Sequence, residues 1–72
     1  MEDWKPRVVD EYKQLHGRYE RLSAFITRYE SGTLPFTPNC PLCLLRMQAD
    51  TMRKYLDILE IRSKIEKINL VD

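Results

Sequence analysis

Apolar and aromatic residues recur along the first half of the chain at Val8, Tyr12, Leu15, Tyr19, Leu22, Ile26 and Tyr29. Their spacing alternates four and three, which is the heptad seam of a helix that packs lengthwise on another helix. This pattern predicts one long helix over about residues 4–30. Asp3 is placed to cap it, and Pro6 is tolerated in a first turn, where no backbone donor is needed. Gly17 interrupts helix propensity at a cost of about 1 kcal/mol relative to alanine. The seam runs through it unbroken. Ser31 and Gly32 then supply a stop, with Gly32 suited to a left-handed C-terminal cap.

The segment "SGTLPFTPNCP", residues 31–41, holds one of the two glycines and three of the four prolines. It reads as a breaker between two periodic segments, with the connection over 31–40. A second helix is expected over about 41–68, capped by Asn39 or Thr37 with Pro41 in the first turn. Its inward seam is Leu45, Ala49 (or Gln48), Met52, Leu56 and Leu59. A second apolar row comprises Met47, Tyr55, Ile58, Ile61 or Arg62, Ile65 and Ile68. One hairpin partner cannot cover both rows, so the helix is expected to be buried from two sides.

The expected fold is therefore all-α: a single domain over 1–72, an antiparallel two-helix hairpin that assembles into a homo-oligomeric helical bundle. In that register Leu15 faces Leu56 or Leu59, Leu22 faces Ala49 or Met52, Ile26 faces Leu45, and Glu11 lies beside Arg62. A chain of 72 residues has little core of its own and usually needs disulfides, a metal or a partner chain, which again favours self-association.

Charge is nearly balanced, at 12 basic against 11 acidic residues. This speaks against duplex DNA as a partner. No apolar run approaches the length of a membrane span, and the charged start "MEDWKPRVVDEYKQ" has no signal-peptide core. A reducing cytoplasm is the expected setting for two free thiols.

Candidate chemistry is sparse. Cys40 and Cys43 form one CxxC at a helix start, and His16 is the only histidine. A zinc site needs four ligands, so only a site shared by two chains is open to this pair. A redox pair lacks the strand-and-helix context of thioredoxin-like proteins. Packing of both thiols under the turn is the preferred reading. No catalytic triad, glycine-rich phosphate loop or cofactor motif is present, so neither an enzyme nor a cofactor is expected.

The arginines carry more. Arg7, Arg18, Arg21 and Arg28 fall on or beside one flank of the first helix, with Glu11 and Gln14 between them. Two readings stand: a solvated face with weak ion pairs, or a stripe whose planar guanidinium forks grip phosphates. Arg62 is either a structural partner of Glu11 or a ligand contact. Trp4 is either a lid over the open end of the hairpin, near Ile65 and Ile68, or an aromatic that stacks on a ligand. The candidate ligand-binding set is Trp4, Arg7, Glu11, Tyr12, Arg18, Tyr55 and Arg62.

Trp4, Arg7, Val8, Glu11, Leu15, Arg18, Leu22, Phe25 and Ile26, followed by Leu44, Leu45, Gln48, Met52, Tyr55, Leu56, Ile58, Leu59 and Arg62, form a dispersed pattern. It resembles a family of short bacteriophage proteins under the label of a crAss-phage-related protein, a label without an assigned activity. "NCPLC" is not part of that pattern. Size and helix plan are also similar to the small phage anti-CBASS and anti-Thoeris sponges, which oligomerise and sequester cyclic nucleotide immune signals. No residue motif is shared with those sponges. The arginines adjoining aromatic seams, the surplus apolar face and the phage resemblance together lead to the expectation of a non-enzymatic anti-defence protein whose partners are itself and a cyclic nucleotide-type molecule. The alternative expectation is a module that docks its apolar helix face on a host protein and inhibits it.

Overall fold

The computed structural model describes residues 4–70. Two helices, α1 (Trp4–Ser31) and α2 (Leu42–Glu66), pack against each other as a hairpin. The molecule is a rod of 49 × 18 × 16 Å. Its long axis follows the 28 residues of α1, which at 1.5 Å per residue span about 42 Å. The expected cap at Asp3 lies outside the described residues.

α1 stops as its sequence dictates. Gly32 takes φ +72°, its amide donates to the Tyr29 carbonyl (3.2 Å) and that of Thr33 to the Arg28 carbonyl (3.0 Å). These are the paired bonds of a Schellman ending, which satisfy carbonyls the helix leaves without partners. The Ser31 and Thr33 hydroxyls add further bonds to the Arg28 carbonyl.

α2 begins and ends differently from the expectation over 41–68. Pro41 itself occupies the N-cap, in an extended conformation (ψ 146°) with no side-chain cap. Neither Asn39 nor Thr37 caps the helix, and both side chains are exposed. The Pro41 carbonyl takes the amides of Leu44 (3.1 Å) and Leu45 (3.3 Å), so the backbone alone closes the first turn. At the other end Lys67 adopts the left-handed conformation, φ 57°. Its amide reaches Lys64 and that of Ile68 reaches Ser63. This is the same ending as at Gly32, made without a glycine.

The two inward seams meet as their spacing requires. Val8, Leu15, Leu56 and Leu59 form one buried cluster, with Tyr12, Tyr19, Met52 and Ile68 packed against it. Leu56 and Leu59 are fully buried. Leu15 thus meets its expected partners. Of Ala49 and Gln48, Ala49 is the half-buried one. The seam runs on to Ser63, which is buried with its hydroxyl unpaired.

The outer row of α2 stays uncovered. Leu44, Met47, Ile58, Ile61 and Ile65 are all more than half exposed, Ile65 at 72%. Ile68, assigned by spacing to that row, joins the core because the chain turns back at Lys67. Among the described residues no helix is long and apolar enough to cross a membrane.

Candidate functional site

The hairpin has two flanks, one on each side of the seam. On the first, the Tyr12 hydroxyl donates to Glu60 Oε2 at 3.0 Å. Arg53 donates to the same oxygen at 3.1 Å and to Asp57 Oδ1 at 2.8 Å through one nitrogen and 3.1 Å through Nε. The guanidinium also lies 5.6 Å from the Tyr19 ring centre. The Tyr12 ring stacks beside His16 at 5.8 Å. Burial, and next the hydrogen bond to Glu60, push the Tyr12 phenol above its ordinary pKa. The hydrogen bond to Asp57 is the main cause holding Arg53 above its own ordinary value. Arg53, Asp57 and Glu60 thus each have an opposite charge beside them.

The second flank carries a groove of about 290 Å³, lined by Arg7, Asp10, Glu11, Gln14, Leu15, Arg18 and Tyr55. Arg7, Glu11, Gln14 and Arg18 recur at three- and four-residue steps, so α1 presents them as one stripe. Leu15 joins the groove to the core, and Tyr55 is the wall that α2 contributes. The Tyr55 hydroxyl donates to Glu11 Oε2 across the helices. Glu11 therefore pairs with Tyr55, and not with Arg62 as the sequence register suggests. A tyrosine hydroxyl opposite Glu11 offers a neutral bond in place of the expected ion pair. Among the described residues no ion pair includes Arg7, Arg18 or Arg62. Arginines that no described carboxylate engages keep their donors for an outside oxygen.

The structure brings together Arg7, Glu11, Arg18 and Tyr55 from the seven candidates. Trp4 stands seven residues before Glu11, and Arg62 seven after Tyr55. Helical spacing puts both on the groove's flank, Trp4 about one turn beyond Arg7 and Arg62 about two turns beyond Tyr55. Trp4 is 39% exposed, with the Lys5 ammonium 5.8 Å from its ring. Of the two residues near which a lid was expected, Ile65 is the most exposed apolar side chain of α2 and Ile68 packs against the core. Tyr12 lies on the other flank, committed to Glu60. Asp10, absent from the candidate set, lines the groove; its position three residues after Arg7 was the available signal.

At the turn a smaller groove of about 140 Å³ is lined by Tyr29, Gly32, Leu34, Phe36, Thr37 and Pro38, beside a Phe25–Phe36 ring contact of 6.2 Å. Cys40 is half-buried and Cys43 exposed, both as free thiols. Cys43 thus does not pack under the turn, because α2 begins only at Leu42 and points it outward. Among the described residues no group of three or more His, Cys, Asp or Glu side chains gathers as metal ligands.

The molecule is thus an all-helical hairpin with a cation-bearing groove on one flank and an apolar row beside it. The chain belongs to the Sequestin family, whose sequence model matches residues 2–65. That span contains both helices' seams and all seven candidate residues. No curated protein and no solved structure matches the chain.

Proposed function

We propose that this chain is a non-enzymatic phage anti-defence protein that oligomerises and sequesters a cyclic nucleotide or related phosphorylated immune signal in the cytoplasm of an infected bacterial host. The observation that carries this reading is the pair Arg7 and Arg18, without ion-pair partners among the described residues, in the groove that also holds Tyr55. The family's name, which denotes sequestration, supports capture over conversion. Guanidinium forks suit phosphate oxygens. Tyr55 and, further along the flank, Trp4 offer aromatic faces for a base. Glu11 and Gln14 accept from hydroxyl or amino groups.

A groove of about 290 Å³ sits at the small end of ligand sites, about 300–1,000 Å³, and one open hairpin cannot enclose most of a ligand's surface. The exposed row Leu44, Met47, Ile58, Ile61 and Ile65 borders this flank of α2. A second copy laid on that row would supply the missing wall and bring a further Arg62 towards the site.

Isothermal titration of the purified protein with cyclic di- and trinucleotides and ADP-ribose derivatives tests the proposal. One of them binds with well-defined stoichiometry if it holds; absence of heat with the whole panel removes it. Light scattering tests the assembly, which predicts a mass of at least two chains. The exposed apolar row also favours a second reading, inhibition of a host protein docked on that face. A monomer that binds none of the panel and retains one stoichiometric host protein would establish it instead.

A further inference from the structure

We infer that Tyr55 is a positioning residue: its hydroxyl holds the Glu11 carboxylate away from Arg7 and so keeps the groove's cations available to an anion. The inference rests on the reading of the groove as an anion site. Glu11 follows Arg7 by four residues on α1, the spacing at which opposite charges on a helix ordinarily pair. Arg18 lies seven residues further on, on the same stripe. Yet the structure has no ion pair between Glu11 and either arginine, and Glu11 accepts from Tyr55 of the other helix. Tyr55 is not a member of the core seam and is 39% exposed, so its ring does not explain its position through packing alone. Its hydroxyl gives the carboxylate a fixed partner that carries no charge. Glu11 thereby remains an ordered acceptor for a ligand donor while Arg7 stays unquenched.

Removing the hydroxyl leaves Glu11 free to swing to Arg7, and an incoming anion must then displace an internal carboxylate. Exposed ion pairs are weak, so the expected loss in Tyr55→Phe is at least about twofold and at most about fivefold in affinity, the upper limit for such pairs. The effect should depend on the charge of Glu11. In a Glu11→Gln background the side chain cannot neutralise Arg7, and Tyr55→Phe should then change affinity by less than about twofold.

The experiment is a double-mutant cycle of Tyr55→Phe and Glu11→Gln, titrated with inorganic pyrophosphate, together with side-chain NMR of the arginine Nε–H groups in the free protein. Thermal midpoints confirm that all variants fold. The expected result is a loss in Tyr55→Phe that vanishes in the Glu11→Gln background, and an Arg7 Nε–H signal that moves on Tyr55→Phe only when Glu11 is present. An equal loss in both backgrounds would assign Tyr55 a direct ligand contact and overturn the inference, as would an Arg7 signal indifferent to Tyr55→Phe. If wild type ignores pyrophosphate, the anion-site reading fails, and the NMR arm alone decides whether Tyr55 governs the Arg7–Glu11 pairing.

Discussion

The two flanks of the hairpin use the same residue types to opposite ends. On one, Arg53 commits its donors to Asp57 and Glu60, lies against Tyr19, and Glu60 also takes the Tyr12 hydroxyl. On the other, Arg7 and Arg18 share a groove with Asp10 and Glu11 yet pair with neither, and Tyr55 takes Glu11. Arginine near carboxylates is therefore not by itself a structural or a binding feature. What separates the flanks is where the carboxylates go: Asp57 and Glu60 engage Arg53 from four and seven residues along its own helix, whereas Glu11, four residues after Arg7, takes the phenol of the facing helix. The outer neighbours differ as well. Beyond Tyr55 lies the exposed apolar row of α2, whereas beyond Arg53 lie charged positions such as Asp57 and Lys64, which suit water.

The largest effect should come from the leucines between the flanks. Leu59 is fully buried, and truncation of such a residue costs about 2–5 kcal/mol. In a core this thin, Leu59→Ala should unfold much of the protein at 25 °C and abolish groove and network together. Urea denaturation followed by circular dichroism measures it. A loss well under 1 kcal/mol would mean that the seam is not what joins the flanks.

Gly17 probes the back of α1, away from both. A Cβ there would meet only Arg21 at an ordinary 3.4 Å, so Gly17→Ala should stabilise by about 1 kcal/mol. If the variant instead falls apart in light scattering, another chain's backbone sits on Gly17 in the assembly.

The arginines separate the flanks by stability. Arg7→Ala and Arg18→Ala should leave unfolding free energy within about 0.5 kcal/mol of wild type, as surface changes without lost partners do. Arg53→Ala should lower the thermal midpoint more than either, since it removes the cation beside both Asp57 and Glu60. Equal midpoints for all three would erase the distinction.

The smallest effect is alkaline. The Tyr12 phenol has a folded-state pKa raised above its ordinary 10.0. The folded state therefore holds this proton more tightly than the unfolded chain does. The contribution is fully present below about pH 10 and is lost as pH rises through the raised value. Tyr12→Phe should flatten that part of the decline in thermal midpoint between neutral and alkaline pH. A parallel decline in wild type and variant would show that neither burial nor Glu60 raises the Tyr12 phenol.

The helices, their seams and the leftover row on α2 followed from heptad spacing, because burial in a hairpin is periodic and spacing records it. Arg7, Glu11, Arg18 and Tyr55 were visible as candidates for the same reason: three are on one helical stripe. Tyr12 was not separable from them. A seam position says that a side chain meets the other helix, but the flank on which its hydroxyl ends depends on Glu60, 48 residues away. The partner of Glu11 depends likewise on what faces it. Caps proved local matters of another kind: Gly32 announces its turn by composition, whereas Lys67 adopts the same conformation against its propensity, and Pro41 displaced two better-suited caps.

The unequal roles of the arginines should be plainest in binding. The direct measurement is calorimetric titration of the wild type, the Arg7→Ala/Arg18→Ala double variant and Arg53→Ala with the cyclic nucleotide or ADP-ribose derivative that wild type holds most tightly. The double variant should lose affinity by at least about tenfold per removed charged contact, each worth about 1.5–3 kcal/mol, while Arg53→Ala keeps wild-type affinity to within about twofold. Binding that survives the loss of Arg7 and Arg18, or that disappears with Arg53, would contradict the assignment of the groove.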